Sequence, residues 1–233
     1  MKCWVCGAEA NSAEHKIKKS TMTKALGEHF RNTGMLHYKE GRFTKLHGPN
    51  SKKVRYEDTL CEICNNTRTQ PFDMSYEIFF DYVWKNADII IKKRFIDFKD
   101  IYKDDYKTKQ FELFRYFVKL FGCDLSYSEV SVPKGFVRLL KRRRLLFPLL
   151  SISFAVNEVK LQFKELKNMP MGIGNLLTTQ NNLKFKNNPQ YRWDTHFAYL
   201  HIFYWYRWQV DGSLGSPWFA NSRYVYLGSY DKL

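Results

Sequence analysis

The feature that most restricts what this chain can fold into is a pair of cysteine knuckles, Cys3-Trp4-Val5-Cys6 and Cys61-Glu62-Ile63-Cys64. Cysteines two residues apart across a tight turn can both direct sulfur at one tetrahedral metal ion, at about 2.3 Å, and two such turns complete a four-sulfur site. Zinc is the expected occupant. Gly7 follows the first knuckle, where a knuckle turn often needs positive φ, a conformation open to glycine. The start of the chain, Met1-Lys2-Cys3-Trp4, lacks the extended apolar run of a secretory signal, so a reducing, cytoplasmic setting is expected, in which five cysteines are poor candidates for structural disulfides. The fifth, Cys123, lies alone in an apolar stretch and reads as a small core residue.

The long stretch between Cys6 and Cys61 must carry structure of its own. It contains Ala13-Glu14-His15-Lys16-Ile17-Lys18-Lys19-Ser20, and the second knuckle is followed at once by Asn65 and Asn66. Hydrolysis of a phosphodiester needs a water deprotonated near neutral pH, a task suited to a neutral imidazole, here His15. It also needs a hard cation on oxygen ligands to offset charge on the phosphate, and Glu14 and Asn65 offer such oxygens. Asn is also a preferred helix N-cap, so one of Asn65 and Asn66 can cap while the other binds metal.

A Glu-His pair followed by Cys-x-x-Cys-Asn opening a helix resembles the HNH endonuclease family. The resemblance covers about the first third of the chain. It implies a zinc-stapled ββα-metal module of treble-clef type, with His15 as general base and with Glu14 and Asn65, or Asn66 in its place, as ligands of Mg²⁺ or Mn²⁺. Zinc on Cys3, Cys6, Cys61 and Cys64 would be structural and would fix the start of the helix carrying Asn65. The family usually supplies an Asn or His before the second cysteine pair to orient the base. Here that neighbourhood is Lys53-Val54-Arg55-Tyr56-Glu57-Asp58, and a backbone carbonyl, His47 or Asn50 is left for the role. Restriction or anti-phage defence is the setting that the resemblance suggests.

The formal net charge is +15, from 38 Lys and Arg against 23 Asp and Glu, which points to a polyanion such as DNA, with RNA open. No apolar run approaches the ~20 residues needed to span a bilayer. Lys16, Lys18, Lys19 and Lys24 follow the base, and Arg68 stands three residues after Asn65; these are the expected phosphate contacts of the module. A second set is expected on a basic helix over Pro133–Arg144, where Arg138, Lys141, Arg142, Arg143 and Arg144 (with Lys134) face out while Phe136, Val137, Leu139 and Leu140 face in.

The chain divides, on this reading, into the module at 1–75 and a larger α+β region at 76–233, helices first and strands after. Apolar residues at three-four spacing predict helices over Tyr76–Trp84 and Phe111–Phe121. Alternation predicts strands at Leu150–Phe154 and Tyr224–Leu227. The aromatic run Tyr199–Trp208 reads as core strand or helix, because so many large side chains cannot all face solvent. The stretch from Gly27 to Asn50 reads as loop-rich with His29, His37 and His47 exposed, and Pro170–Asn175 as a turn. Two other functions stay open: a zinc-dependent nucleic-acid-binding module whose catalytic site is degenerate, and a nuclease subunit, alone or as a homodimer, that a partner such as an ATPase activates.

Overall fold

The computed structural model describes residues 1–27, 36–39, 41–46, 48–141, 147–163, 165, 171–180, 182, 185 and 188–231. His29, His47 and Arg142 to Arg144 lie outside them. The fold is mixed α+β, with six α-helices among the described residues.

The helix that organises the molecule is α5 (Tyr106–Tyr127), buried almost without interruption from Leu113 to Leu125. Burial on all sides requires an apolar circumference, and Leu113, Phe114, Phe117, Leu120, Phe121 and Leu125 provide most of it. Of the exceptions, Arg115 lies over the rings of Phe72 and Phe111, and the others sit against the amino-terminal part of the chain. Lys119 pairs with Glu14, Asp124 accepts a hydrogen bond from Tyr56 at 2.9 Å, and Gly122 lies under Trp4. A Cβ on Gly122 would stand 2.4 Å from the Trp4 ring, so the first cysteine knuckle can rest on α5 only because no side chain is there.

Against the aromatic side of α5 and of α2 (Gln70–Lys85) lies a seven-stranded sheet in the order β5-β11-β6-β10-β9-β7, with β8 pairing β9. These strands are β5 (Phe95–Asp97), β6 (Leu150–Asn157), β7 (Gly172–Ile173), β8 (Leu177–Thr178), β9 (Tyr191–Phe197), β10 (Leu200–Tyr206) and β11 (Tyr224–Tyr230). Strand β10 is antiparallel to both neighbours, and β11 runs parallel to β6. Every residue of β10 is buried. Ile202 and Tyr204 join the core cluster under the helices, while Phe203 and Trp205 join a smaller cluster with Ala155 and Leu214. A strand covered on both faces carries no alternation, which is why Tyr199–Trp208 reads as core without its type being fixed. Cys123 is in the main cluster, where burial pushes its thiol up to about 12 and leaves it inert.

The amino-terminal part pairs β1 (Ser12–His15) antiparallel with β4 (Arg55–Leu60), with a register shift between Ser12 and Glu14. Between them come α1 (Lys19–Leu26) and a hairpin of β2 (Leu36–Lys39) and β3 (Arg42–Lys45). The hairpin lies within the stretch read as loop-rich; Tyr38 and Phe43 pair across it, but neither strand alternates enough to declare itself. Gly172–Ile173 likewise is a strand where a turn was expected.

Residue 75 is the expected boundary between the two parts. It falls inside α2, and one hydrophobic cluster runs from Cys3 and Tyr56 through Phe79 and Phe117 to Leu227. Pro71 sits in the first turn of α2, where its missing N–H costs nothing, so it starts that helix and does not break it. The two parts share a core.

Candidate active-site groove and cysteine cluster

The sulfurs of Cys3, Cys6, Cys61 and Cys64 all lie within 4.8 Å of one another, and the four together could hold a metal ion. Cys6 and Cys61 are 3.5 Å apart. Four bonds of about 2.3 Å in a tetrahedron need sulfur separations of about 3.8 Å, so the arrangement fits an ion without rebuilding. All four thiols are free. The backbone N–H of Cys64 points at Cys61 and helps lower that thiol to about 7, while burial pushes the Cys64 thiol up. Gly7 has φ +83°, and its N–H closes the knuckle on the Cys3 carbonyl at 2.8 Å.

From Cys61 the chain enters a π-helical turn, Ile63–Arg68, which carries Asn65 inward and Asn66 outward. Glu14, His15, Asn65 and Asn66 line one open groove of about 910 Å³, together with Lys18 and Lys19 from the start of α1 and Asp73 and Glu77 from α2. The register shift in β1 lies at this point, and such irregularities re-aim side chains next to sites.

Asn65 is buried, and its amide nitrogen donates to Ser12 Oγ at 3.0 Å and to the Ala13 carbonyl at 3.2 Å. A carbonyl only accepts, so the orientation of the amide is fixed. Its oxygen, Oδ1, is then left buried without a hydrogen-bond partner among the described residues. A buried acceptor with no donor is costly, and a cation removes that cost.

His15 Nε2 lies 3.1 Å from the Pro49 carbonyl. Because that oxygen can only accept, Nε2 carries the hydrogen and Nδ1 keeps the basic lone pair. Burial lowers the pKa of His15, reinforced by Arg55, Lys19 and Lys18, so the ring is neutral near pH 7. The orienting group is thus a backbone carbonyl, while the described part of 53–58 supplies no Asn or His for it.

Glu14 is buried, and Lys119 Nζ sits 2.9 Å from one of its oxygens and 3.1 Å from Asp73. Burial works against the Lys119 ammonium, and the two carboxylates outweigh it and raise its pKa. Burial pushes the Glu14 carboxyl up in turn, against the pull of Lys119. The ammonium is what allows Glu14 to carry charge in this interior.

The expected phosphate contacts scatter. Lys18 lines the groove but lies 3.4 Å from both Asp73 and Glu77. Lys24 pairs with Asp81, and Lys16 sits over the rings of Tyr56 and Tyr127. Lys19 stays exposed at the groove. The Arg68 guanidinium donates to Cys64 Sγ at 2.9 Å, beside the cysteine cluster. Arg138 and Lys141 are exposed on α6 (Lys134–Lys141), which buries Phe136, Leu139 and Leu140.

Lys119, Asp73 and Ser12 escaped the sequence reading, and the backbone carbonyl it left open beside His15 is that of Pro49. Lys119 had one signal, a single cation inside the apolar run Phe111–Phe121; a carbonyl leaves none. No family model, no curated protein and no solved structure matches this chain.

Proposed function

We propose that the chain is a metal-dependent endonuclease of the HNH type that hydrolyses DNA phosphodiester bonds. The observation that carries this reading is Asn65, which lines the same groove as Glu14 and His15 and whose Oδ1 is buried and unpartnered among the described residues. In this account Asn65 Oδ1 and the Glu14 oxygen not engaged by Lys119 hold a divalent cation, Mg²⁺ or Mn²⁺, which would supply charge stabilisation at the phosphate. His15 Nδ1 takes the proton from the attacking water, and the Pro49 carbonyl stabilises the imidazolium through Nε2–H. Lys119 and Asp73 position Glu14. Zinc at the four cysteines holds the turn that carries Asn65, and Arg68 supports Cys64 from outside the ligand set. The net charge of +15 favours a polyanionic substrate, and Lys19 is the cation best placed to meet it.

One observation favours a different reading. Lys119 already neutralises Glu14 and Asp73, as it would in a degenerate site that binds nucleic acid without cutting it. Supercoiled plasmid incubated with wild type and His15→Ala, in Mg²⁺, Mn²⁺ or EDTA, separates the two. The nuclease reading expects cleavage by wild type only, abolished by EDTA, with DNA binding kept in the variant. DNA binding by both proteins, with cleavage by neither, would favour the binding module, and cleavage on adding a partner protein would favour an activated subunit.

A further inference from the structure

On the sheet, far along the sequence from the cysteines, three metal-ligating side chains are brought to one place. Asp194 and His196 are two apart on β9 and share a face, and the register sets His201 of β10 directly across from His196. One donor atom from each of the three lies within 4.8 Å of the other two. Asp194 Oδ2 and His201 Nε2 are 2.7 Å apart.

A hydrogen bond between Asp194 and His201 accounts for that pair and leaves His196 unexplained. His196 Nδ1 is buried with no partner among the described residues, and its ring stands 5.3 Å from that of His201. The backbone at β7 closes over the same place. A Cβ on Gly174 would stand 2.1 Å from Asp194 Oδ1, and one on Gly172 would stand 3.2 Å from His196 Nε2. Glycine at both positions lets main chain approach Asp194 and His196 closely. The other side of His201 is apolar, stacked on Phe203 with Tyr230 edge-on.

We infer that Asp194, His196 and His201 form a second metal site, sharing no residue with the groove or the cysteine cluster, which takes a divalent transition-metal ion of the zinc class. Two imidazoles and one carboxylate suit Zn²⁺, Co²⁺ or Fe²⁺ better than Mg²⁺ or Ca²⁺, which prefer all-oxygen shells. Bonds of about 2.1 Å need donor separations of about 3.0–3.4 Å, so the 2.7 Å pair opens slightly and His196 closes in. The ion cross-links β9 to β10 and leaves at least one coordination position for water. Lys160 is close enough to Asp194 and His196 to interact with both, and its charge opposes the ion, so binding rests on the three ligands.

The test is zinc content per full-length chain after equilibration with Zn²⁺ and removal of free metal. It is read by elemental mass spectrometry for wild type, His15→Ala, His196→Ala and His201→Ala. His15→Ala should match wild type, and each of the other two should hold one ion fewer. If either of those two fails to fold, by far-ultraviolet circular dichroism, the wild type decides through its imidazole resonances. Those of His196 and His201 should shift in a Zn²⁺ titration and broaden in a Co²⁺ titration. Full zinc content in folded His196→Ala and His201→Ala, or wild-type resonances of both rings that ignore the metal, overturns the site. Neither outcome depends on whether the groove cuts DNA.

Discussion

The strand pair that carries Glu14 and the sheet that carries Tyr204 are held by different physics. Under the sheet, Phe117 of α5 meets Phe79, Phe154, Tyr204 and Trp218 edge-on, and stability comes from apolar area removed from water. Around the groove, structure comes from four thiols, an asparagine amide, a carbonyl and a buried ion pair, all directional and all dependent on partners. The two meet on α5, which gives its aromatic side to the sheet and Lys119, Gly122 and Asp124 to the amino-terminal part. A site made of polar groups can be aligned without a large core of its own when a rigid neighbour supplies the missing counter-charges.

That contrast can be broken first at the cysteines. Stripping metal with a strong chelator, or Cys64→Ser, should release Cys3–Cys6 and Cys61–Arg68, since a structural zinc site contributes on the order of 10 kcal/mol of local folding energy. Hydrogen exchange should then lose protection there and keep it in β6, β9 and β10. Equal loss in both parts would mean that the amino-terminal part is not held separately.

Phe117→Ala acts on the opposite side and should cost about 3–5 kcal/mol, lowering protection in both parts together, measured by urea denaturation. Lys119→Met removes the buried ammonium between Glu14 and Asp73, leaving only the half-buried Lys18 beside Asp73, and should cost about 3–5 kcal/mol as well. Here Glu14→Gln in the same chain should recover part of the loss, which a simple packing defect at position 119 would not allow.

The smallest effect lies at Asp124, whose carboxyl burial raises to about 6, against the hydrogen bond from Tyr56. A raised carboxyl contributes stability below its unfolded pKa and loses it as pH rises through the folded one. The window therefore runs from about pH 4 to about pH 6, and the contribution is up to about 3 kcal/mol. Asp124→Asn should gain stability relative to wild type across that window, read from urea midpoints at pH 4.5 and 7.5; a constant difference would contradict the assignment.

The sequence disclosed the parts whose cause is local. Two Cys-x-x-Cys pairs and Gly7 are legible because a knuckle turn is a few residues long, and α2 and α5 are legible from three-four spacing. β10 was half legible, because a strand buried on both faces shows its burial and not its period. The hairpin at Leu36–Lys45 and the strand at Gly172 were missed for want of alternation. Glu14 and His15 stood out by residue type. Their partners Lys119 and the Pro49 carbonyl did not, because those contacts join positions that only the tertiary fold brings together. Lys18 and Lys24 showed the reverse, since nothing local announces that Asp73, Glu77 and Asp81 wait on α2 to pair with them.

The most direct test of the central claim is plasmid cleavage as a function of Mg²⁺ concentration by wild type, Asn65→Asp and Asn65→Leu, with zinc content and DNA affinity measured on each protein. If Asn65 Oδ1 is a cation ligand, Asn65→Leu should lose cleavage by roughly 100-fold or more while keeping zinc and DNA binding, and Asn65→Asp should cut with an altered Mg²⁺ dependence. Cleavage by Asn65→Leu at the wild-type rate and the wild-type Mg²⁺ dependence would contradict the account.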